Sequence, residues 1–202
     1  VFSRQLGEQV LSDGGHFERS PMYHAQVLED VLDVVNALQT FPDPASAERA
    51  AVTETCSEAV PRMLAWLRTM THPDGGIALF NDAAFGEAAT PERLAAYAAD
   101  LSFRPKGEIF NDQPSLRFLS RPDESGLLRN DNGSTPLPRN DILERSPGGN
   151  RGAVPHFSHL ADTGYIRVDC GDMTAFLDVA PVGPDYLPGH AHADTLRSEE
   201  HT

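Results

Sequence analysis

The stretch Asp13-Gly14-Gly15-His16-Phe17-Glu18-Arg19-Ser20-Pro21-Met22-Tyr23-His24 gathers ionisable and hydroxyl side chains at the entrance of a helix. Gly14 and Gly15 permit backbone conformations that a Cβ resists. Ser20 before Pro21 is a helix-start signal, with serine as N-cap and proline in the first turn. Beyond it Val27, Leu28, Val31, Leu32, Val35 and Leu38 recur at three- and four-residue spacing, with Glu29, Asp30, Asp33 and Asn36 mostly between them. That is an amphipathic helix with one buried face. Tyr23 and His24 then sit in its first turn, where free amides and the helix dipole favour anions and a lowered phenol pKa. His16, Glu18, Arg19 and His24 lie close by in sequence. Such a density of titratable groups predicts one wall of a cleft, with Tyr23 as proton-transfer group and His16, Glu18, Arg19 and His24 as substrate-binding residues. Taken singly, a first-turn tyrosine more often packs and a lone histidine more often satisfies a neighbouring polar group.

The 202 residues are 40% hydrophobic, enough for a sizeable core. Sixteen Lys and Arg against thirty Asp and Glu give a formal charge of -14, which argues against a nucleic-acid or anionic-membrane surface. The balance also weighs mildly against a polyanionic substrate. The apolar runs fall short of the roughly 18–20 residues of a membrane span. Cys56 and Cys170 are far apart and each sits in an apolar run, the setting of buried free thiols rather than a bridge. The chain begins with Val1, and a periodic segment, Phe2 to Leu11, starts at once; the expectation is a fragment with an upstream part.

Outward from the opening segment, Phe41-Pro42-Asp43-Pro44 reads as a turn, and a helical pattern resumes from Ala45 through Val52, Cys56, Val60, Met63, Leu64 and Leu67. These two helices should be antiparallel neighbours, with Pro61 kinking the second or starting a separate piece. Thr71 to Gly76 is a loop before Ile77-Ala78-Leu79-Phe80-Asn81-Asp82, and Thr90-Pro91-Glu92 opens a further helix with Leu94, Ala95, Ala98 and Leu101 inward. A Gly-, Pro-, Asn- and Ser-rich stretch between Ser120 and Pro155 reads as a linker or long loop. Beyond it, Gly164 to Cys170 alternates with period two, Gly171-Asp172 is a turn, and Met173 to Val179 is a second strand. The expected organisation is α+β: a helical part over 1–120, a linker over 121–155, and an antiparallel sheet over 156–196.

Gly189-His190-Ala191-His192-Ala193-Asp194 follows the hairpin, and a His-x-His pair on an extended strand puts both imidazoles on one face. Asp13 to His24, Gly75 to Asp82, and Gly183-Pro184-Asp185-Tyr186 running into Gly189 to Asp194 together resemble the heparinase II/III-like polysaccharide lyases. The resemblance spans nearly the whole chain. It implies the C-terminal part of an α/α toroid over 1–120, followed by the first strands of an antiparallel β-sandwich. It implies cleavage of an acidic, uronic-acid-containing polysaccharide or oligosaccharide by β-elimination. Tyr23 matches the tyrosine that moves the proton beside the uronate carboxylate, and His190 matches a sheet-borne histidine facing the cleft. His192 matches a histidine that binds a structural zinc in some members, although the further Asp and His ligands are absent from this sequence. An Asn-His pair of many members would lie upstream of Val1. A periplasmic or secreted location follows from the same resemblance.

Two other readings use the same residues. A metal-dependent hydrolase would employ His-x-His-x-Asp, but such sites want a histidine directly after the aspartate, where Thr195 stands. A non-catalytic carbohydrate-binding scaffold would keep the helices without the chemistry. The terminal Arg197-Ser198-Glu199-Glu200-His201-Thr202 breaks the expected alternation and resembles a sequencing adapter read in one frame, so residues 197–202 are expected to be a non-native tail.

Overall fold

The computed structural model describes residues 1–43, 45–103, 154–181 and 196–201. Four helices, α1 (Phe2–Gln9), α2 (Pro21–Thr40), α3 (Ala47–Thr69) and α4 (Pro91–Phe103), precede four strands, β1 (His156–Leu160), β2 (Tyr165–Cys170), β3 (Met173–Asp178) and β4 (Ser198–His201). The strands pair antiparallel in the order β1-β2-β3-β4. The architecture is α+β, and the described helices and strands belong to one compact unit.

Serine caps open both long helices: Ser20 accepts from the Tyr23 amide at 3.4 Å and Ser46 from the Arg49 amide at 3.3 Å. Thr90 does the same for α4, accepting from Arg93. The start of α2 meets the end of α3, since the His24 ring lies 4.4 Å from Trp66 and bonds to the Met63 carbonyl. At the other end Arg49 reaches the Phe41 carbonyl. The two helices are therefore antiparallel, and Leu28, Val31 and Leu32 pack with Cys56, Ala59, Met63 and Leu67 in one apolar cluster. The Cys56 thiol is buried and unbridged, and burial raises its pKa to about 11. Cys170 is also free.

Two expectations change here. Pro61 neither ends nor divides α3, which runs unbroken from Ala47 to Thr69. An interior proline costs about 3 kcal/mol, but Cys56 and Ala59 before it and Met63, Trp66 and Leu67 after it are all buried, and their packing keeps the helix continuous across it. On α4 the inward face is Leu94, Ala98 and Leu101, while Ala95 is exposed. Tyr97 flanks the apolar cluster instead, its hydroxyl donating to Asp33 on α2.

The same turn is built twice. After α1, Leu11 N–H donates to Gly15 O, Gly14 N–H to Leu11 O, and Gly15 N–H to the Asp13 carboxylate. After α3, His72 N–H donates to Gly76 O, Gly75 N–H to His72 O, and Gly76 N–H to the Asp74 carboxylate. Isolated bridges Val10–His16 and Thr71–Ile77 close the two loops. Each Asp-Gly-Gly places its first glycine at a positive φ, 92° and 91°. The surroundings differ, however: a Cβ on Gly14 would lie 2.3 Å from the Arg62 carbonyl oxygen, whereas one on Gly75 would meet nothing within 4 Å.

The sheet rests one face on the helices. Tyr165, Thr174, Phe176 and Asp178 are buried on it, and Tyr165 and Phe176 join Trp66, Met70, Ala78 and Phe80 in a second apolar cluster. The register puts Phe157, Val168, Ile166 and Leu177 on the opposite face. Strand β1 lies just beyond the linker boundary, and its register runs from His156 opposite Asp169 to Leu160 opposite Tyr165. Strand β4 lies in the terminal hexapeptide and pairs with β3 from Thr174–His201 to Leu177–Ser198. An open sheet edge accepts an extended segment through main-chain bonds, which a polar Ser-Glu-Glu-His run can supply.

Asp13, Trp66 and Arg167 are among the side chains that tie the sheet to the helical part. Asp13 Oδ2 accepts from Asp162 N at 3.1 Å, Thr163 N at 2.7 Å and Thr163 Oγ1 at 2.8 Å. Trp66 Nε1 donates to Thr163 Oγ1 at 2.9 Å. Arg167 grips Asp169 through two nitrogens and donates Nη1 to the Thr69 and Thr71 carbonyls at 3.0 and 2.7 Å, capping the end of α3. Burial pushes the Asp169 carboxyl up, but hydrogen bonds from Arg167 and Thr174 outweigh it and hold the group below its ordinary range.

The repeated turn separates two costs of glycine replacement. Gly14→Ala and Gly75→Ala should share the left-handed strain of about 1–2 kcal/mol, and Gly14→Ala should lose about 1–3 kcal/mol more from overpacking against Arg62. Urea unfolding of both variants checks the difference; equal losses would refute it.

Candidate active site

Successive residues on a helix point about 100° apart, and Tyr23 and His24 diverge accordingly. His24 is fully buried. Its Nδ1 accepts from the His16 amide at 3.2 Å and its Nε2 lies 3.0 Å from the Met63 carbonyl. Both ring nitrogens are thus committed to backbone, which fixes the neutral tautomer with hydrogen on Nε2. Burial drives its pKa down to about 3, against the smaller upward pull of the Met63 carbonyl. His16 is also buried, its ring edge-on to Phe17 at 4.6 Å, and burial lowers its pKa to about 4 against the raising charge of Glu18. His24 is therefore a core staple between the first Asp-Gly-Gly turn and α3, which corrects the expectation that it faces substrate. The His16 Nδ1 is likewise buried, and it has no hydrogen-bond partner among the described residues.

Tyr23 turns the other way. Its side chain is half-buried and its hydroxyl donates to Asp82 Oδ2 at 3.0 Å. Partial burial, the hydrogen bond to Asp82 and the charges of Asp82 and Glu18 raise the phenol pKa. The direction is opposite to the lowering expected from the helix terminus: the amide that Tyr23 itself contributes is already taken by Ser20, and the nearest charges are negative.

Asp82 and its neighbour Asn81 come from the segment after the second Asp-Gly-Gly turn. Both adopt left-handed backbone, φ 65° and 49°, as does Arg19 at 61°. The two segments are joined by one phenol. Asn81 Nδ2 donates to the Tyr165 hydroxyl at 2.9 Å, and that hydroxyl donates to the Arg19 carbonyl at 2.8 Å. The Arg19 guanidinium reaches the Pro181 carbonyl at 2.9 Å. An open cleft of about 570 Å³ beside Arg19 is lined by Leu11, Ser12, Arg62 and Asp162, and Tyr23 is not among its lining residues.

The structure thus brings Tyr23 together with Asp82, in the field of Glu18, and keeps His16 and His24 behind them. Asn81 and Asp82 end one of the segments that carry the family resemblance, but no site role was assigned to them from sequence. Their signal was an Asn-Asp pair ending an apolar run, a composition suited to left-handed backbone. His190, His192 and Asp194 lie outside the described residues. Among the described residues no group of three or more His, Cys, Asp or Glu could hold a metal ion. No described helix is long and apolar enough to cross a membrane.

A heparinase II/III N-terminus family model matches residues 1–110, and a heparinase II/III-like C-terminal model matches residues 152–199. The chain belongs to the heparinase II/III-like family. No curated protein and no solved structure is detectably similar to it. Membership implies a polysaccharide lyase as the parent protein and a polysaccharide as its substrate. In this heparinase II/III-like chain both matched segments supply the site's frame: Tyr23, Asn81 and Asp82 come from the first, and Tyr165 from the second.

The two buried histidines set a pH dependence. Their folded-state pKa values lie below the roughly 6.5 of the unfolded chain, so below that pH the unfolded chain takes up protons that the folded chain refuses. Stability should be full above about pH 6.5 and fall towards about pH 4, each histidine contributing about 1.4 kcal/mol per pH unit. Denaturant unfolding across that range checks the slope. His24→Gln should flatten it by one proton, and an undiminished slope would place the protons elsewhere.

Proposed function

We propose that the parent protein cleaves a uronic-acid-containing polysaccharide by β-elimination, with Tyr23 as the proton-transfer group. The observation that carries this reading is the outward phenol at the start of α2, bonded to a carboxylate while the neighbouring imidazoles are sealed in the core. A carbon acid beside a carboxylate is very weak, so its removal needs a base held within hydrogen-bond reach and charge stabilisation at the carboxylate. Glu18 and Arg19 flank the phenol in sequence, and Arg19 is proposed to neutralise the substrate carboxylate. His190 is proposed to face Tyr23 across the cleft.

On this reading the described helices are part of an α/α toroid and the strands begin a β-sandwich. His192 is a proposed zinc ligand with a structural role, and no step of the elimination passes through the metal. The acidic charge of the chain, -14, favours a weakly sulfated or unsulfated polymer. A polymeric substrate suits a periplasmic or secreted protein.

The test is release of unsaturated product, read by ultraviolet absorbance, when the full-length parent meets a panel of uronate polysaccharides. Tyr23→Phe should lower turnover by about 10²–10⁴-fold with unfolding behaviour unchanged, since it removes one partly exposed oxygen. Near-normal turnover in that variant would overturn the role of Tyr23.

A further inference from the structure

We propose that Asp82 positions Tyr23 and receives its proton during the elimination, a role that rests on the lyase reading above. The contact is direct, phenol oxygen to Oδ2 at 3.0 Å. It is also built rather than incidental. Asp82 follows Phe80, which is fully buried, and Asn81, which is buried and anchored on Tyr165. The Ala83 amide closes the turn onto the Phe80 carbonyl at 3.2 Å. Left-handed backbone at two successive non-glycine residues persists where surrounding contacts impose it, and here those contacts aim the carboxylate at the phenol. Tyr165 links this turn to Arg19, a further residue in left-handed backbone, which lies four positions before Tyr23.

The chemistry needs such a partner. Among the described residues the charged groups that act on the phenol are Asp82, from the turn after the second Asp-Gly-Gly loop, and Glu18, from the segment before α2, and both favour the protonated phenol. A phenol in that state can take a carbon-bound proton only while passing its own along. The substrate proton moves to the phenol oxygen as the phenol proton moves to Asp82 Oδ2. The C–H electron pair forms the new double bond, and the glycosidic C–O bond breaks with its pair on the leaving oxygen. The phenol then protonates that oxygen and recovers its proton from Asp82. The resting protonation states are restored, and no oxidant, reductant or co-reactant enters.

Asp82→Asn in the full-length parent tests this, because asparagine accepts left-handed backbone and keeps the size of the side chain while losing the proton acceptor. Alkaline titration of tyrosinate absorbance should show one tyrosine ionising at lower pH in Asp82→Asn, and this change should be missing in a Tyr23→Phe background. On a uronate polymer cleaved by the wild type, kcat should fall at least about 100-fold with KM within about threefold, and Asp82→Glu should recover part of the loss. An Asp82→Asn enzyme with wild-type kcat, or an unaltered tyrosinate titration, overturns the role of Asp82 alone. A wild-type parent that releases no unsaturated product from any uronate polymer overturns the lyase reading and this role with it.

Discussion

Asp13 accepts three hydrogen bonds from the turn between β1 and β2, and through them the helical part and the sheet share one frame. The carboxylate can do this because its other oxygen is already held by the Gly15 amide of its own turn. Both oxygens are thereby engaged, and each bond to a charged acceptor contributes more than a neutral one. Trp66 completes the joint by donating to the Thr163 hydroxyl that bonds Asp13. Gly15 leaves no room for a side chain there, since a Cβ would lie 2.3 Å from Thr163 Cγ2 and 2.4 Å from Trp66 Nε1. The glycine that begins as a turn residue is thus required by the packing of helix against strand.

The site inherits its geometry from that joint. With the sheet seated, Tyr165 reaches both Asn81 and the Arg19 carbonyl, and the segments flanking Tyr23 are fixed relative to each other. A phenol on the first turn of a well-capped helix and a carboxylate on a constrained turn then meet at hydrogen-bond distance. The histidines of the same segment serve a different end. Both are buried, and the neutral His24 ring satisfies the His16 amide and the Met63 carbonyl, which would otherwise be left without partners in the core.

Much of this was legible in the residues. Ser20-Pro21 and Thr90 precede helices that begin where capping chemistry puts them, α3 begins at Ala47 behind the Ser46 cap rather than at the expected Ala45, and the β2–β3 hairpin turns at Gly171-Asp172. The first-turn position of Tyr23 and His24 was legible from Ser20-Pro21, but the two were read together as one wall of a cleft. That they diverge was not legible, since only the approach of Met63 and Trp66 shows that His24 points inward. Asp82 lies 59 residues from its partner, and no local pattern reports a pair that distant. The separate piece that Pro61 left open does not form, because helix propensity is local whereas the burial that overrides it is supplied by other elements. The duplicate Asp-Gly-Gly was visible in the letters, but the shared hydrogen-bond pattern that makes it a structural repeat was not.

Arg167 has a consequence for how the chain acquires its structure. The final carbonyls of α3 are satisfied by a guanidinium arriving from a strand 96 to 98 positions later, so that end of the helix stays incomplete until the strand docks. Closing so large a loop is entropically slow before its contacts form. The C-terminal end of α3 is thus finished by the sheet, since the Thr69 and Thr71 carbonyls have the Arg167 donor only when β2 is in place.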